Sequence, residues 1–228
     1  MIDFDQLVDR YFKRELKVKL IGRYYPSEVG QCLRKSYYSF MLPKETDKDL
    51  AKIFEVGNIL HEFVAKVFAS EKNPDVDLVE SETPFEIPID DFIISGRIDN
   101  IILLKPEQKK IVVEVKSTKM LSMMETAQES HQMQLQLYLH AKQIQHGMIL
   151  YLEKNTLQSK TFSLEYDPEF YRQIINRFRK LHNYLRNTSL PEPEARMKAE
   201  KNWLCRNCEY REECFKDTPQ IDLSVYEK

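Results

Sequence analysis

The chain has 228 residues, 42% of them hydrophobic, with 34 basic against 36 acidic side chains. That is enough apolar content for one well-buried core, most simply one domain with a small appendage, while the charge balance excludes a global cationic field and leaves only local basic patches for any nucleic acid. Acids in MIDFDQLVDRYFK where a signal peptide needs a basic flank, and the lack of a long apolar run, predict a cytoplasmic protein with reduced thiols and no membrane partner, and its five glycines form neither a P-loop nor a dinucleotide fingerprint.

In chain order, residues 3–20 read as an amphipathic helix. PSEVGQCLRKSYYSFML reads as a second, starting at Pro26 with Ser27 as its cap, and DLAKIFEVGNILHEFVAKVFAS as a third. Tyr24, Tyr25, Tyr37 and Tyr38, interleaved with Arg23, Arg34 and Lys35, offer either base stacking and phosphate contacts to a single strand or the aromatic side of a core. Other basic groups are Lys13, Arg14, Lys17 and Lys19, then Arg177, Arg179 and Lys180, then Arg206 and Arg211, each by itself an ordinary solvated face. LVESETPFEIP, DFIISGRIDNIILL and KKIVVEVKST, rich in β-branched residues and separated by Pro and Asp turns, predict three successive strands. A helix over 122–144, strands GMILYLEK and LQSKTFSL, and a helix from Pro168 to Arg186 follow. The prolines of LPEPEARMKAEKNWLCRNCEYREECF mark a break before a Cys-rich loop, and residues 217–228 read as a tail.

The segment IVVEVKSTK, residues 111–119, sets Glu114 and Lys116 on one face of an otherwise apolar strand. Alone, such a triplet is an ordinary surface ion pair. The preceding strand changes the reading, because Asp99 interrupts the apolar run GRIDNIILL. A tight turn over Lys105–Gln108 with Pro106 second pairs Leu104 with Lys109 and, counting back along both strands, Asp99 with Glu114, while a looser loop would slip the register by a residue or two and still leave the two carboxylates close together. Opposed carboxylates destabilise a sheet unless a cation lies between them, and hard oxygen donors suit a divalent ion, with Lys116 beside it as a point charge.

Asp99 followed by Glu114-Val115-Lys116 resembles the D…(D/E)-x-K pattern of the restriction-endonuclease-like nucleases. GNILHE, with Gly57 and His61 on the helix before the sheet, is similar to the G-x-x-x-H-E of RecB-type exonucleases, whose His completes the metal site. HQMQLQLYLH places His131, Gln134 and Tyr138 along one helical face and is similar to their Q-x-x-x-Y motif. Cys205, Cys208 and Cys214 form C-x2-C-x5-C, with Cys32 far upstream. This one-plus-three split is unlike the paired cysteines of a zinc ribbon and resembles the iron-sulfur RecB-like nucleases, in which such a set holds a cluster between the ends of the chain. A clamp closing so long a loop would stabilise the fold by on the order of 5 kcal/mol if it acts as a crosslink.

From Ser27 to Phe215 the chain most resembles the fourth family of CRISPR-associated nucleases, the RecB-like member of the spacer-acquisition machinery. The resemblance implies an α/β fold: a restriction-endonuclease-like, PD-(D/E)XK core with a mixed central sheet flanked by helices, and a small Cys-rich iron-sulfur cap joining the N- and C-terminal parts. The corresponding divisions are 1–48 (helical, carrying Cys32), 49–190 (nuclease core), 191–216 (cap) and 217–228 (tail). It implies a metal-dependent DNA exonuclease in which His61, Asp99, Glu114 and the Val115 carbonyl hold Mg²⁺ or Mn²⁺, and Lys116 orients or deprotonates the attacking water or stabilises charge at phosphorus. Gln134 and Tyr138 would position Lys116 and the strand, and Arg23, Tyr24, Arg34 and Lys35 would bind DNA. The implied cofactor on Cys32, Cys205, Cys208 and Cys214 is an iron-sulfur cluster, of the 4Fe-4S rather than the 2Fe-2S type. The implied partners are single-stranded or end-containing DNA and the integrase complex of CRISPR adaptation. A stand-alone or helicase-associated RecB/AddB-like repair exonuclease would share these motifs, and a catalytically inactive iron-sulfur DNA-binding module would share the cysteines.

Overall fold

In the computed structural model, which describes residues 2–12, 16 and 18–218, six strands form one mixed sheet: β1 (Arg23–Tyr24), β2 (Val76–Ile89), β3 (Phe92–Leu104), β4 (Lys109–Thr118), β5 (His146–Glu153) and β6 (Ser159–Glu165). The order is β1-β3-β4-β5-β6, with β2 also paired to β3. The β2/β3, β3/β4 and β5/β6 pairs are antiparallel, whereas β4 and β5 run parallel. A parallel neighbour needs a crossover, which α5 (Glu129–Lys142) provides. The β3–β4 turn holds Gln108 N to Lys105 O at 3.3 Å, and its register, Leu104 opposite Lys109 through Asn100 opposite Val113, is the one the sequence predicts.

Period-2 alternation gives the sheet two apolar faces. Val113, Val115, Ile102, Leu150 and Leu152 meet Leu60 and Val64 of α4 (Lys48–Phe68), while Val112, Ile149 and Tyr151 meet the larger core with α5 and α6 (Pro168–Arg186). Each aliphatic side chain so buried contributes about 1.5–3 kcal/mol. Asp47 caps α4 through the amides of Asp49 and Leu50, and Asp167 caps α6 ahead of Pro168. Among the described residues no helix is long and apolar enough to cross a membrane.

Three expected helices differ in extent. The N-terminal one, α1 (Phe4–Tyr11), is shorter than residues 3–20. The second divides into α2 (Pro26–Val29) and α3 (Leu33–Met41). Arg177 binds the carbonyls of Val29 (2.6 Å) and Gln31 (2.8 Å), and Glu194 takes the Leu33 amide (2.7 Å), so the groups a continuous helix would pair internally are claimed by distant side chains. Gly30 sits where a Cβ would collide with Ser130 of α5. The cap of α2 is Tyr25 rather than Ser27. The helix expected over 122–144 starts at Glu129 because the Gln128 amide is bound by the Tyr151 hydroxyl at 3.1 Å. The N-terminal part is not purely helical, since β1 joins the sheet and Tyr24 enters the common core with Tyr210. Lys13, Arg14 and Lys17, and residues 219–228 of the expected tail, lie outside the described residues.

Candidate active site

The β3–β4 ladder runs to Asn100 and Val113. Beyond it the Asp99 side chain bridges the strands, its Oδ2 accepting from the Val115 amide at 2.7 Å. Its other oxygen, Oδ1, lies 3.5 Å from Nδ1 of His61, which α4 lowers onto this end of the sheet. His61 is held above its usual pKa: burial works to lower it, but Asp99 and then Glu114 outweigh burial.

Glu114 is fully buried, and neither oxygen has a hydrogen-bond donor in bonding geometry. Lys116 Nζ touches Oε1 as an ion pair, off the angle of a hydrogen bond. Burial first, then Asp99, pushes the Glu114 carboxyl up to about 8, against the opposing pull of Lys116. An ionised carboxylate here is costly unless a cation joins it. Lys116 in turn donates to Gln134 Oε1 (3.3 Å), and Gln134 Nε2 donates to the Tyr138 hydroxyl (2.6 Å). The i, i+4 spacing therefore brings Gln134 and Tyr138 to the strand face that carries Glu114 and Lys116. Burial, followed by the carboxylates of Glu114 and Asp99, holds the Tyr138 phenol far above its usual range. His131 lies behind this line, 2.7 Å from the Tyr151 hydroxyl, its pKa pushed down to about 3 by burial and by Lys116. Gln136 is structural, binding Glu165 O and the Asp167 amide.

Glu82 is a site residue that the sequence reading missed. Ser81 pairs with Asn100 and Thr83 with Ile98, so Glu82, at φ 50°, stands across β3 from Asp99. Counting back along both strands from the Asp90–Asp91 turn reaches this pair, just as counting from Lys105–Gln108 reaches Asp99 and Glu114. Burial and the nearby Asp99 raise the Glu82 carboxyl. One donor atom from each of His61, Glu82 and Asp99 lies within 4.8 Å of the others, a span that fits hard-cation coordination. A groove of about 690 Å³ leads away between α4 and β2, lined by Asn58, His61, Lys66, Ser81, Glu82 and Arg97 among others.

Cys32 is the residue before α3, Cys205 ends a 3-10 turn (Ala199–Cys205), Cys208 follows it, and Cys214 lies in α7 (Arg211–Asp217). All four line one cavity of about 130 Å³. Among the described residues, only His61, Glu82 and Asp99 bring three ligand atoms within 4.8 Å of one another. The thiols are therefore spread more widely than the about 3.8 Å that one tetrahedral zinc with about 2.3 Å bonds sets. Burial, then the neighbouring sulfurs, raise the Cys205 thiol.

The expected DNA-contacting residues separate. Tyr24 has no exposed surface and its hydroxyl meets His182 Nδ1 at 2.7 Å, so it presents no face to a base. Tyr37 and Tyr38 are likewise buried, whereas Tyr25 is exposed. Arg34 is buried and spent on Pro191 O (2.5 Å) and Thr218 Oγ1 (2.7 Å), bracing the cysteine region. Arg23 reaches the surface but pairs with Glu86 at 2.9 Å, and Lys35 lines the cysteine cavity. Burial removes Tyr24 and Arg34 from that role.

The sequence profile of the PD-(D/E)XK nuclease superfamily matches residues 62–215. No curated protein matches the chain. Among solved structures, SSO0001 is similar with a TM-score of 0.62 at 22% identity, over 92% of each chain. An alkaline exonuclease from Laribacter hongkongensis is similar at TM-score 0.51 and 12% identity, over 82% of this chain and 93% of that one. A phage-related exonuclease from Haemophilus somnus 129PT reaches 0.50 at 12% identity, over 78% and 96%. At such identities the likeness concerns the fold.

Proposed function

Because the chain belongs to the PD-(D/E)XK nuclease superfamily, we propose that it is a metal-dependent DNA exonuclease that processes single-stranded or end-containing DNA. The observation that carries this reading is the side-chain line Glu114–Lys116–Gln134–Tyr138 ending beside the His61–Asp99 pair. The donor chemistry suits a divalent ion: Asp99 directs one oxygen at His61, and the buried Glu114 carboxylate on the neighbouring strand has Lys116 as its ion-pair contact. His61, Asp99, Glu114 and the Val115 carbonyl would hold Mg²⁺ or Mn²⁺, which supplies Lewis-acid polarisation of the phosphoryl oxygen and lowers the pKa of the attacking water.

Lys116 supplies a preorganised positive charge for the developing phosphorane, aimed by Gln134, whose amide is fixed in turn by Tyr138. The groove beside His61 would give the strand a path, with Arg97, and Lys66 once it leaves Glu62 at 4.0 Å, as the cations for phosphates. Labelled single-stranded DNA should be shortened with Mn²⁺ and left intact with EDTA. Intact DNA under both conditions would overturn the reading.

Cys32, Cys205, Cys208 and Cys214 would hold an iron-sulfur cluster, of the 4Fe-4S type, as a clamp between the chain ends. Their cavity of about 130 Å³ is comparable to the about 150 Å³ that admits a benzene-sized guest, room for a group of several atoms. A brown protein carrying iron and sulfide supports this, and a colourless one with stoichiometric zinc refutes it. The biological setting we assign is CRISPR spacer acquisition beside the adaptation integrase, on the resemblance from Ser27 to Phe215. Co-purification with that integrase, and loss of new spacers with Lys116→Ala, would test it.

A further inference from the structure

We propose that Glu82 is a ligand of the divalent ion, a carboxylate outside the Asp–Glu–Lys set of the strand motif. The proposal rests on the metal-dependent nuclease reading. Asp99 on β3 has Glu114 next in register on β4 and Glu82 across from it on β2, so three adjacent strands each bring one carboxylate to the same end of the sheet. His61 comes in from α4, its Nδ1 4.0 Å from Glu82 Oε1 and 3.5 Å from Asp99 Oδ1.

Like charges on neighbouring strands repel, and among the described residues the one ion-pair partner of Glu82 is His61. Lys116 is committed to Glu114 and Gln134. A second observation points to the same cation: the fully buried Glu114 carboxylate has no donor in hydrogen-bond geometry, its ion-pair contact being Lys116.

Glu82 differs from the other two carboxylates in position. Its side chain is half exposed and lines the groove between α4 and β2. It is therefore the ligand on the side from which the ion exchanges with solvent and the strand approaches. With an imidazole nitrogen in the set, Mn²⁺ is favoured over Mg²⁺.

Calorimetric titration of the cluster-bearing full chain with Mn²⁺, without DNA, tests the assignment. Glu82→Gln should weaken Mn²⁺ binding tenfold or more while the metal-free melting temperature stays at the wild-type value. Glu86→Gln, on the same strand, should bind as wild type. If Glu82→Gln lowers the melting temperature, Glu82→Asp, which keeps the charge and shortens the arm, must also weaken binding. Wild-type affinity in Glu82→Gln alongside loss of binding in Asp99→Asn would overturn the role of Glu82 and leave the nuclease reading standing. A wild-type protein that binds no Mn²⁺ would overturn both.

Discussion

Glu114→Gln should remove a pH-dependent cost that the metal-free protein carries. The Glu114 carboxyl moves from 4.5 to about 8 on folding, through burial and then the charge of Asp99. At about 1.36 kcal/mol per pKa unit this is on the order of 5 kcal/mol, a ceiling because Lys116 offsets part of it. The sign follows from proton counting. Below pH 4.5 the group is protonated in both folded and unfolded chains and contributes nothing. Above 4.5 the unfolded chain releases a proton that the folded chain keeps, so stability falls as pH rises to about 8 and levels off beyond. The amide that Glu114→Gln introduces cannot titrate, and Lys116 keeps its contact to Gln134 at 3.3 Å. Urea unfolding in EDTA at fixed ionic strength, from about pH 5 to about pH 8.5, should therefore give a wild-type curve that declines with pH relative to that of Glu114→Gln. Mn²⁺ should recover the loss at about pH 8 in the wild type and not in the variant. Parallel curves for the two proteins would refute the account of Glu114 as a buried, unsatisfied carboxylate.

Lys116→Ala should leave Mn²⁺ affinity unchanged or tighter, because a like charge is removed, while single-strand cleavage falls by about two orders of magnitude or more; cleavage at the wild-type rate with the metal bound would remove Lys116 from the chemistry. Cys32→Ala and Cys208→Ala should lower the melting temperature and the visible absorbance equally, since both side chains line the same cavity, and a silent Cys32→Ala would break the one-plus-three assignment. Gly57 lies one turn before His61 on the same helix face, and a Cβ there meets nothing within 4 Å. Gly57→Ala should accordingly stabilise α4 by up to about 1 kcal/mol, whereas Gly57→Leu should lower cleavage at least tenfold without destabilising the protein. An unaffected cleavage rate in Gly57→Leu would show that this face does not border the strand.

The sequence by itself determined the parts of the site that depend on local periods and turns. Alternation along residues 111–119 set Glu114 and Lys116 on one face, the four-residue turn at Pro106 fixed the β3–β4 register that brings Asp99 beside them, and helical spacing carried Gln134 and Tyr138 to Lys116. Only the tertiary structure decided which polar groups satisfy one another across long stretches of chain. Arg177 and Glu194 divide the helix expected after Pro26 by capturing its backbone groups, and the Tyr151 hydroxyl sets where α5 begins. Tyr24 and Arg34 are drawn inside by His182 and Pro191, although tyrosine and arginine among basic residues read equally well as a nucleic-acid surface. Glu82 belongs to the same class: its neighbours Ser81 and Thr83 are ordinary strand residues, and its meaning comes from Asp99 across the ladder and from His61 on a helix that packs over both. Period and turn geometry act within a few residues and can be counted, whereas burial and charge pairing depend on which distant side chain arrives, and that is set by how α4, α5 and α6 pack on the sheet.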